Sequence, residues 1–243
     1  MKKLLLLGVG ILTLIACQDK ETPEGNLHLT GNIKGLSQGK LYLQKIQDSS
    51  LVILDSIIIK GNSNFETMVP LKEPEMLFLF LDRGQTNSID NNLSFFAEPG
   101  DMNIETTLKE FYAKAKVTGS KNNDLLVEYN KIKSKFNDEN LTLLERRIQN
   151  ATVNNQETED SIQEAYNRLL IRKYRYTANF ATTHADFEVA PYLALAEIGD
   201  INITYLDTVA KHMTREVEAS KYGKLLRKHI YDRKKAEYKE ANK

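Results

Sequence analysis

The sequence predicts an α+β protein, an antiparallel β-sandwich-like domain over residues 27–118 followed by an all-helical segment over residues 119–243. Three observations carry this. Apolar residues alternate with polar ones in short runs up to about residue 118, the period of strands. At Gly119-Ser120 the apolar spacing changes to that of helices. Strands first and helices second is α+β segregation, which excludes a βαβ nucleotide-binding fold.

The strand half opens with Leu27, Leu29, Gly31 and Ile33 alternating with polar residues. Leu41 and Leu43 follow, with Tyr42 on the opposite face. Turn formers crowd the link Lys34-Gly35-Leu36-Ser37-Gln38-Gly39, which predicts a hairpin between these two strands. Residues 51–59, the turn at 60–64 and residues 65–71 come next, then runs at 76–81, 93–97, 102–107 and 113–118. Residues 83–92 are the most polar insertion and read as a mobile loop. In the second half Ser120 is an N-cap, followed by Leu125, Leu126, Tyr129, Ile132 and Phe136 at helical spacing. Leu141, Leu144 and Ile148, then Ile162, Tyr166, Leu169, Leu170 and Tyr174, continue the pattern across a break at residues 150–157. A shorter apolar helix spans 189–198 and ends at Gly199. Thr204-Tyr205-Leu206-Asp207 reads as a capping box opening another helix, and Gly223 as the separator before the last one. That last helix should pack through Leu225, Leu226, Ile230 and Tyr231 and fray beyond.

Composition narrows function. Hydrophobic residues make up 41% of 243, ample for a core, and 33 basic against 33 acidic residues argue against a globally basic nucleic-acid binder. One cysteine leaves no intramolecular disulfide, no CxxC chemistry and no cysteine-ligated zinc. Its position assigns a compartment. Met1-Lys2-Lys3 is a positive n-region, residues 4–14 are an apolar stretch too short to span a bilayer, and Leu14-Ile15-Ala16-Cys17 resembles a bacterial lipobox. Residues 1–16 are therefore expected to be a lipoprotein signal peptide, leaving Cys17 acylated and residues 17–26 as a polar tether. Several acyl chains anchor a protein stably where one does not. The expected location is the cell envelope, lipid-anchored to the outer membrane and facing the periplasm or the cell surface. Gln18-Asp19-Lys20-Glu21 resembles the acid-rich signal that exports some lipoproteins of Bacteroidota to the surface.

Gly31-Asn32-Ile33-Lys34-Gly35-Leu36 with Gly39-Lys40-Leu41-Tyr42-Leu43 resembles a domain of unknown function. That domain stands at the N-terminus of thiol–disulfide oxidoreductase lipoproteins of Bacteroidota. Asp55-Ser56-Ile57, Phe95-Phe96-Ala97-Glu98-Pro99-Gly100-Asp101, Val117-Thr118-Gly119-Ser120 and Ser220-Lys221-Tyr222-Gly223-Lys224-Leu225-Leu226 match its further landmarks. The resemblance implies the fold and the location. The thioredoxin-like module with CxxC that would begin soon after Leu226 is expected to be missing, and the catalytic residues with it.

Other candidate sites are weaker. Gly35-Leu36-Ser37-Gln38-Gly39 fits the G-x-S-x-G nucleophile elbow, but an elbow needs a strand–turn–helix and the flanks here read as strands. His28, His184, His212 and His229 are scattered and read as solvated or hydrogen-bonded rather than as metal ligands; no metal or cofactor is expected. Tyr166, Tyr174 and Tyr176 read as packing residues. Asp55-Ser56-Ile57, Asp160-Ser161-Ile162 and Asp207-Thr208-Val209 resemble a three-residue O-glycosylation signal of exported Bacteroidota proteins, which makes Ser56, Ser161 and Thr208 candidates for modification. Residues 224–243 carry eight basic and three acidic side chains, either a docking face for anionic lipid, polysaccharide or an acidic partner, or a solvated terminal helix.

The expectation is thus a non-catalytic envelope lipoprotein acting as a binding or scaffold module. Its partners would be the membrane through Cys17 and an envelope protein, such as a separately encoded thioredoxin-like protein, with no nucleic acid and no identified small-molecule substrate. The alternative is a hydrolase-like envelope enzyme with a non-cysteine site. Cys17→Ser should abolish lipid labelling and release the protein from the membrane pellet; a variant that still pellets after a high-salt wash would contradict the lipoprotein assignment.

Overall fold

The structure, a computed structural model, describes residues 25–84 and 89–242; Cys17 and the expected leader lie outside the described residues. Among those residues eight strands come first: β1 Leu27–Lys34, β2 Gln38–Gln47, β3 Ser50–Lys60, β4 Asn64–Val69, β5 Glu75–Asp82, β6 Asn92–Ala97, β7 Gly100–Thr107 and β8 Lys116–Thr118. Six helices follow: α1 Lys121–Val153, α2 Gln156–Thr183, α3 Val189–Ile198, α4 Ile203–His212, α5 Arg215–Ala219 and α6 Lys221–Ala241. Of the polar insertion, residues 89–91 form one 3-10 turn. Among the described residues, no helix is long and apolar enough to cross a membrane.

Two four-stranded sheets, ordered β4-β1-β7-β8 and β3-β2-β5-β6, face each other. Every pairing is antiparallel except β1 with β7. Leu27, Leu29, Ile33, Phe65 and Ile104 of the first sheet interleave with Leu41, Leu43, Leu77, Leu79 and Phe95 of the second in one buried core. Phe111, from the turns before β8, plugs one end of it; the strand expected at residues 113–118 shrinks to three residues because those turns occupy its start.

The expected hairpin between the first two strands does not form. β1 pairs with β4 and β7, whereas β2 pairs with β3 and β5, so the turn-rich link crosses from one sheet to the other. Gly35 at φ +92° and the buried Leu36 make that corner. The true hairpin is β2–β3, closed by Asp48 and Ser49 at φ 48° and 67°, the left-handed pair of a tight two-residue turn.

Gly119 marks the switch to helices. Its φ is +96°, and a Cβ there would stand 2.2 Å from the Asp101 carbonyl oxygen, so only glycine fits. Ser120 then caps α1, accepting from the Asn123 N–H. The break between α1 and α2 is two residues, not the eight expected. Asn154 takes the left-handed conformation, and the Asn150 side chain closes the turn through both the N–H and the carbonyl of Asn155. The cap of α4 is Asn202 rather than Thr204. Gly223 does not separate helices but lies in the first turn of α6; a Cβ there would sit 1.9 Å from the Val217 carbonyl oxygen, so the glycine lets α5 and α6 approach.

The C-terminal end of α2 and the helices α3, α4 and α6 share an apolar core that includes Ala181, Ala194, Leu206, Val209, Leu226 and Ile230. Leu225 and Tyr231, expected to pack, are exposed, because they fall on the outer side of α6. Tyr166 is exposed as well, while Tyr174 and Tyr176 are half-buried beside the helical cores.

Packing of α6 does not end at Tyr231. Arg233 donates to the carbonyl oxygens of Gly199 at 3.0 Å and Ile201 at 2.6 Å, satisfying orphan carbonyls past the end of α3, and Lys234 pairs with Asp207 at 2.6 Å. Leu226→Ala should destabilise the protein by about 2–5 kcal/mol, since the side chain is fully buried. Truncation after Asp232 should cost about 1–3 kcal/mol through the stranded Ile201 carbonyl, since His229 still reaches that of Gly199, whereas truncation after Lys235 should leave the melting temperature nearly unchanged. Equal melting temperatures for the two truncations would contradict the role given to Arg233.

Candidate functional site

The sheet β3-β2-β5-β6 is apolar on its outer face as well as its inner one. Met76 of β5 and Phe96 of β6 point outward, and Leu125 and Tyr129 of α1, Phe180 of α2, Val189 and Leu193 of α3 and Tyr222 of α6 cover them. Tyr222 packs against Phe96 and Tyr192 at centroid distances of 5.7 and 5.1 Å. This seam holds the helical segment on the sandwich.

Polar groups lock both ends of the seam. At the α6 end the Glu75 carboxylate, 7% exposed, lies between Lys221 Nζ at 2.6 Å and Lys45 Nζ at 3.5 Å. The backbone N–H of Lys221 donates to Glu73 Oε2 at 2.5 Å, and the Met76 N–H donates to Tyr222 Oη at 3.1 Å. Burial pushes the Tyr222 hydroxyl well above the usual tyrosine range, so it stays protonated. At the α1 end Glu98 Oε1 accepts from Ser120 Oγ, Asn122 N and Asn122 Nδ2 at 3.0, 2.6 and 2.9 Å. Asn122 Oδ1 accepts from Val189 N at 2.7 Å, and Asn123 Oδ1 from Phe96 N at 3.1 Å. Three of the landmarks quoted from the sequence therefore share one task. The stretches around Glu98, Ser120 and Lys221-Tyr222-Gly223 all fasten sheet to helices.

Beside the α6 lock an open cleft of about 860 Å³ runs between the β2–β3 hairpin, the start of β5 and α6. Met76, Phe78, Tyr192 and Tyr222 floor it, and Lys72 and Lys224 stand at its mouth. Neither of these two lysine side chains has an ion-pair or hydrogen-bond partner among the described residues. Chemically this is an apolar, aromatic floor with charged residues at the rim, the lysines and the exposed Asp48.

The remaining candidates fall elsewhere. Ser56, Ser161 and Thr208 are placed on β3, α2 and α4; Ser56 and Ser161 are exposed, and Thr208 Oγ1 donates to the Thr204 carbonyl oxygen at 2.8 Å. Ser37 lies between two strands, and its carbonyl accepts from Gly61 N at 2.7 Å, a geometry unlike an elbow. His28 bridges Asp101 and Glu66 at 2.8 and 2.7 Å across β7, β1 and β4, and those hydrogen bonds raise its pKa above 6.5. His212 and His229 make contacts to backbone carbonyls of Thr208 and Gly199, and His184 lies against Phe180. Among the described residues no three His, Cys, Asp or Glu side chains form a group that would hold a metal ion.

No curated protein matches the chain. Residues 27–126, the sandwich with the first turns of α1, match the family model of DUF4369, a domain of unknown function, in keeping with the resemblance carried by residues 31–43 and the landmarks up to Ser120; the landmark at residues 220–226 lies beyond the match.

Proposed function

We propose that the protein is a non-catalytic lipoprotein of the cell envelope, held by acyl groups on Cys17 at the outer membrane. It acts as a binding or scaffold module for an envelope protein, a separately encoded thioredoxin-like protein being the partner the family resemblance favours. The observation that carries this reading is the division of labour at the seam. Glu73, Glu75, Glu98, Asn122, Asn123 and the Tyr222 hydroxyl are all consumed in contacts that join sheet to helices. What faces solvent in the adjoining cleft is an aromatic floor with the unpaired Lys72 and Lys224 and the exposed Asp48, the composition of a recognition surface with an apolar centre and a charged rim. The chain's single cysteine supports the absence of disulfide chemistry, which needs a free thiolate to attack sulfur.

Two outcomes test this. The purified protein should reduce insulin no faster than the buffer and thiol background; reduction above it, with contaminating thioredoxins removed, would overturn the non-redox reading. Lys72→Glu with Lys224→Glu should leave the melting temperature nearly unchanged, as expected of exposed positions, and should deplete the protein that co-purifies from the native envelope by about tenfold. Unchanged co-purification would remove the cleft as the binding surface.

A further inference from the structure

Strand β3 is eleven residues long and lies at the edge of its sheet. Its backbone ladder runs to β2 alone. Among the described residues, the other partner of its amides is a side chain: the Ser56 N–H donates to Asp55 Oδ1 at 2.7 Å. Natural edges of this length are guarded against pairing with another chain by lysines, prolines or charged side chains along the strand. Here the strand has no arginine or proline, its one lysine is the terminal Lys60, and its other charged group, Asp55, is taken up by Thr67 Oγ1. Leu51, Ile53 and Ile58 are 56%, 52% and 62% exposed, and Ile46 on the neighbouring strand is 47% exposed. An uncovered apolar edge of this kind is a binding surface or a hazard.

The one irregularity of the strand decides what fits it. The β2–β3 register shifts between Leu43 and Gln44, so Leu54 is an extra residue. Across the ladder Leu51, Ile53, Ser56 and Ile58 stand opposite Ile46, Gln44, Tyr42 and Lys40, alternate residues of β2, and so share the outer face. Val52, Asp55, Ile57 and Ile59 share the inner one. Counting Leu54 and Asp55 as one pleat makes the strand symmetric about that point. An antiparallel copy related by a twofold axis there, perpendicular to the sheet, sets Leu51 opposite Ile58 of the copy, Ile53 opposite Ser56 and Val52 opposite Ile57. Each facing pair then lies on one side of the sheet, as cross-strand packing requires. The same register brings Lys60 of each copy against the Asp48-Ser49 turn of the other. Asp48 and Lys60 are exposed and have no ion-pair partner among the described residues, so the ends of the pairing are complementary in charge.

We propose that β3 is a homodimerisation edge, joining two copies of this chain into one continuous eight-stranded sheet. The test is cysteine cross-linking of the full chain in its native envelope, with two differently tagged copies expressed together. Leu51→Cys in one copy and Ile58→Cys in the other should form a disulfide-linked band at twice the monomer mass on oxidation. Leu51→Cys with Leu51→Cys, and Ile58→Cys with Ile58→Cys, should not, because like positions lie at opposite ends of the ladder. Ile53→Lys in both copies should cut the cross-linked fraction about tenfold or more, because a lysine on an edge strand opposes pairing with another chain. The exposure of Ile53 leaves the fold of that variant intact, which its unchanged melting temperature checks. Equal cross-linking of like and unlike positions, no cross-link at all, or linkage to a different protein would each overturn the proposal.

Discussion

The architecture depends on one constraint: the sheet β3-β2-β5-β6 has two apolar faces, and both must be kept from water. Strand β5 states it most directly. Met76, Leu77, Phe78, Leu79, Phe80 and Leu81 run without a polar residue, the signature of a strand covered on both sides. Its inward residues are buried against the first sheet, and its outward end is buried under α1, α3 and α6. Each Phe or Met side chain fully covered in this way contributes about 1.5–3 kcal/mol. The helical segment is therefore a second lid on the sheet rather than an independent attachment, and the locks at Glu75 and Glu98 set how that lid sits.

Carboxylates at these locks are placed where each loses little by burial. Glu75 is nearly buried, yet two lysines that keep their own access to water flank it, at 25% and 31% exposure. A carboxylate so flanked costs less to desolvate than an isolated one, and removing its partners would leave an uncompensated charge. Glu98 instead receives three donors near the start of α1, two of them from Asn122, one of which is a free backbone N–H of the helix beginning, where negative charge is favoured. The same residues thus supply specificity to an interface whose energy comes from aromatic and aliphatic burial.

Much of the fold was legible because it is local. Alternation at Leu27, Leu29 and Ile33, the cap at Ser120 and the apolar helix ending near Gly199 are short-range signals, and each element appears where its signal lies. What escaped is relational. The residues of the link Lys34 to Gly39 announce a turn but carry no information on whether the next strand joins the same sheet, and here it joins the other. Gly223 reads as a helix breaker, yet its place is set by a backbone approach from Val217 that periodicity does not reveal. The candidate site was half legible: Glu98, Ser120 and Lys221-Tyr222-Gly223 stood out as landmarks. Their task did not, since Lys221 and Tyr222 meet partners 146 residues away in sequence. Lys72 carried no signal at all, and Lys224 stood out only as one of the basic residues of the last helix, because a surface lysine becomes distinctive only through the partners it lacks.

The helical lid covers the outer face only in part. It reaches Met76 and Phe96 on β5 and β6, while Tyr42 and Phe80, stacked 6.4 Å apart, and the exposed Ile53 and Ile58 of β3 lie on the uncovered side. The sheet therefore passes from covered at Phe96 of β6 to open at β3, and the constraint that organises the fold is met towards one edge and left unmet at the other. A short edge pairing is weak between molecules free in solution, because association costs translational and rotational freedom. Under the proposed anchoring at Cys17 that cost falls, since copies held on one membrane share a plane and meet at a raised effective concentration. An edge too weak to hold a dimer in dilute solution can then act as an interface at the envelope, which accounts for a strand whose charged residues are limited to Asp55 and the terminal Lys60.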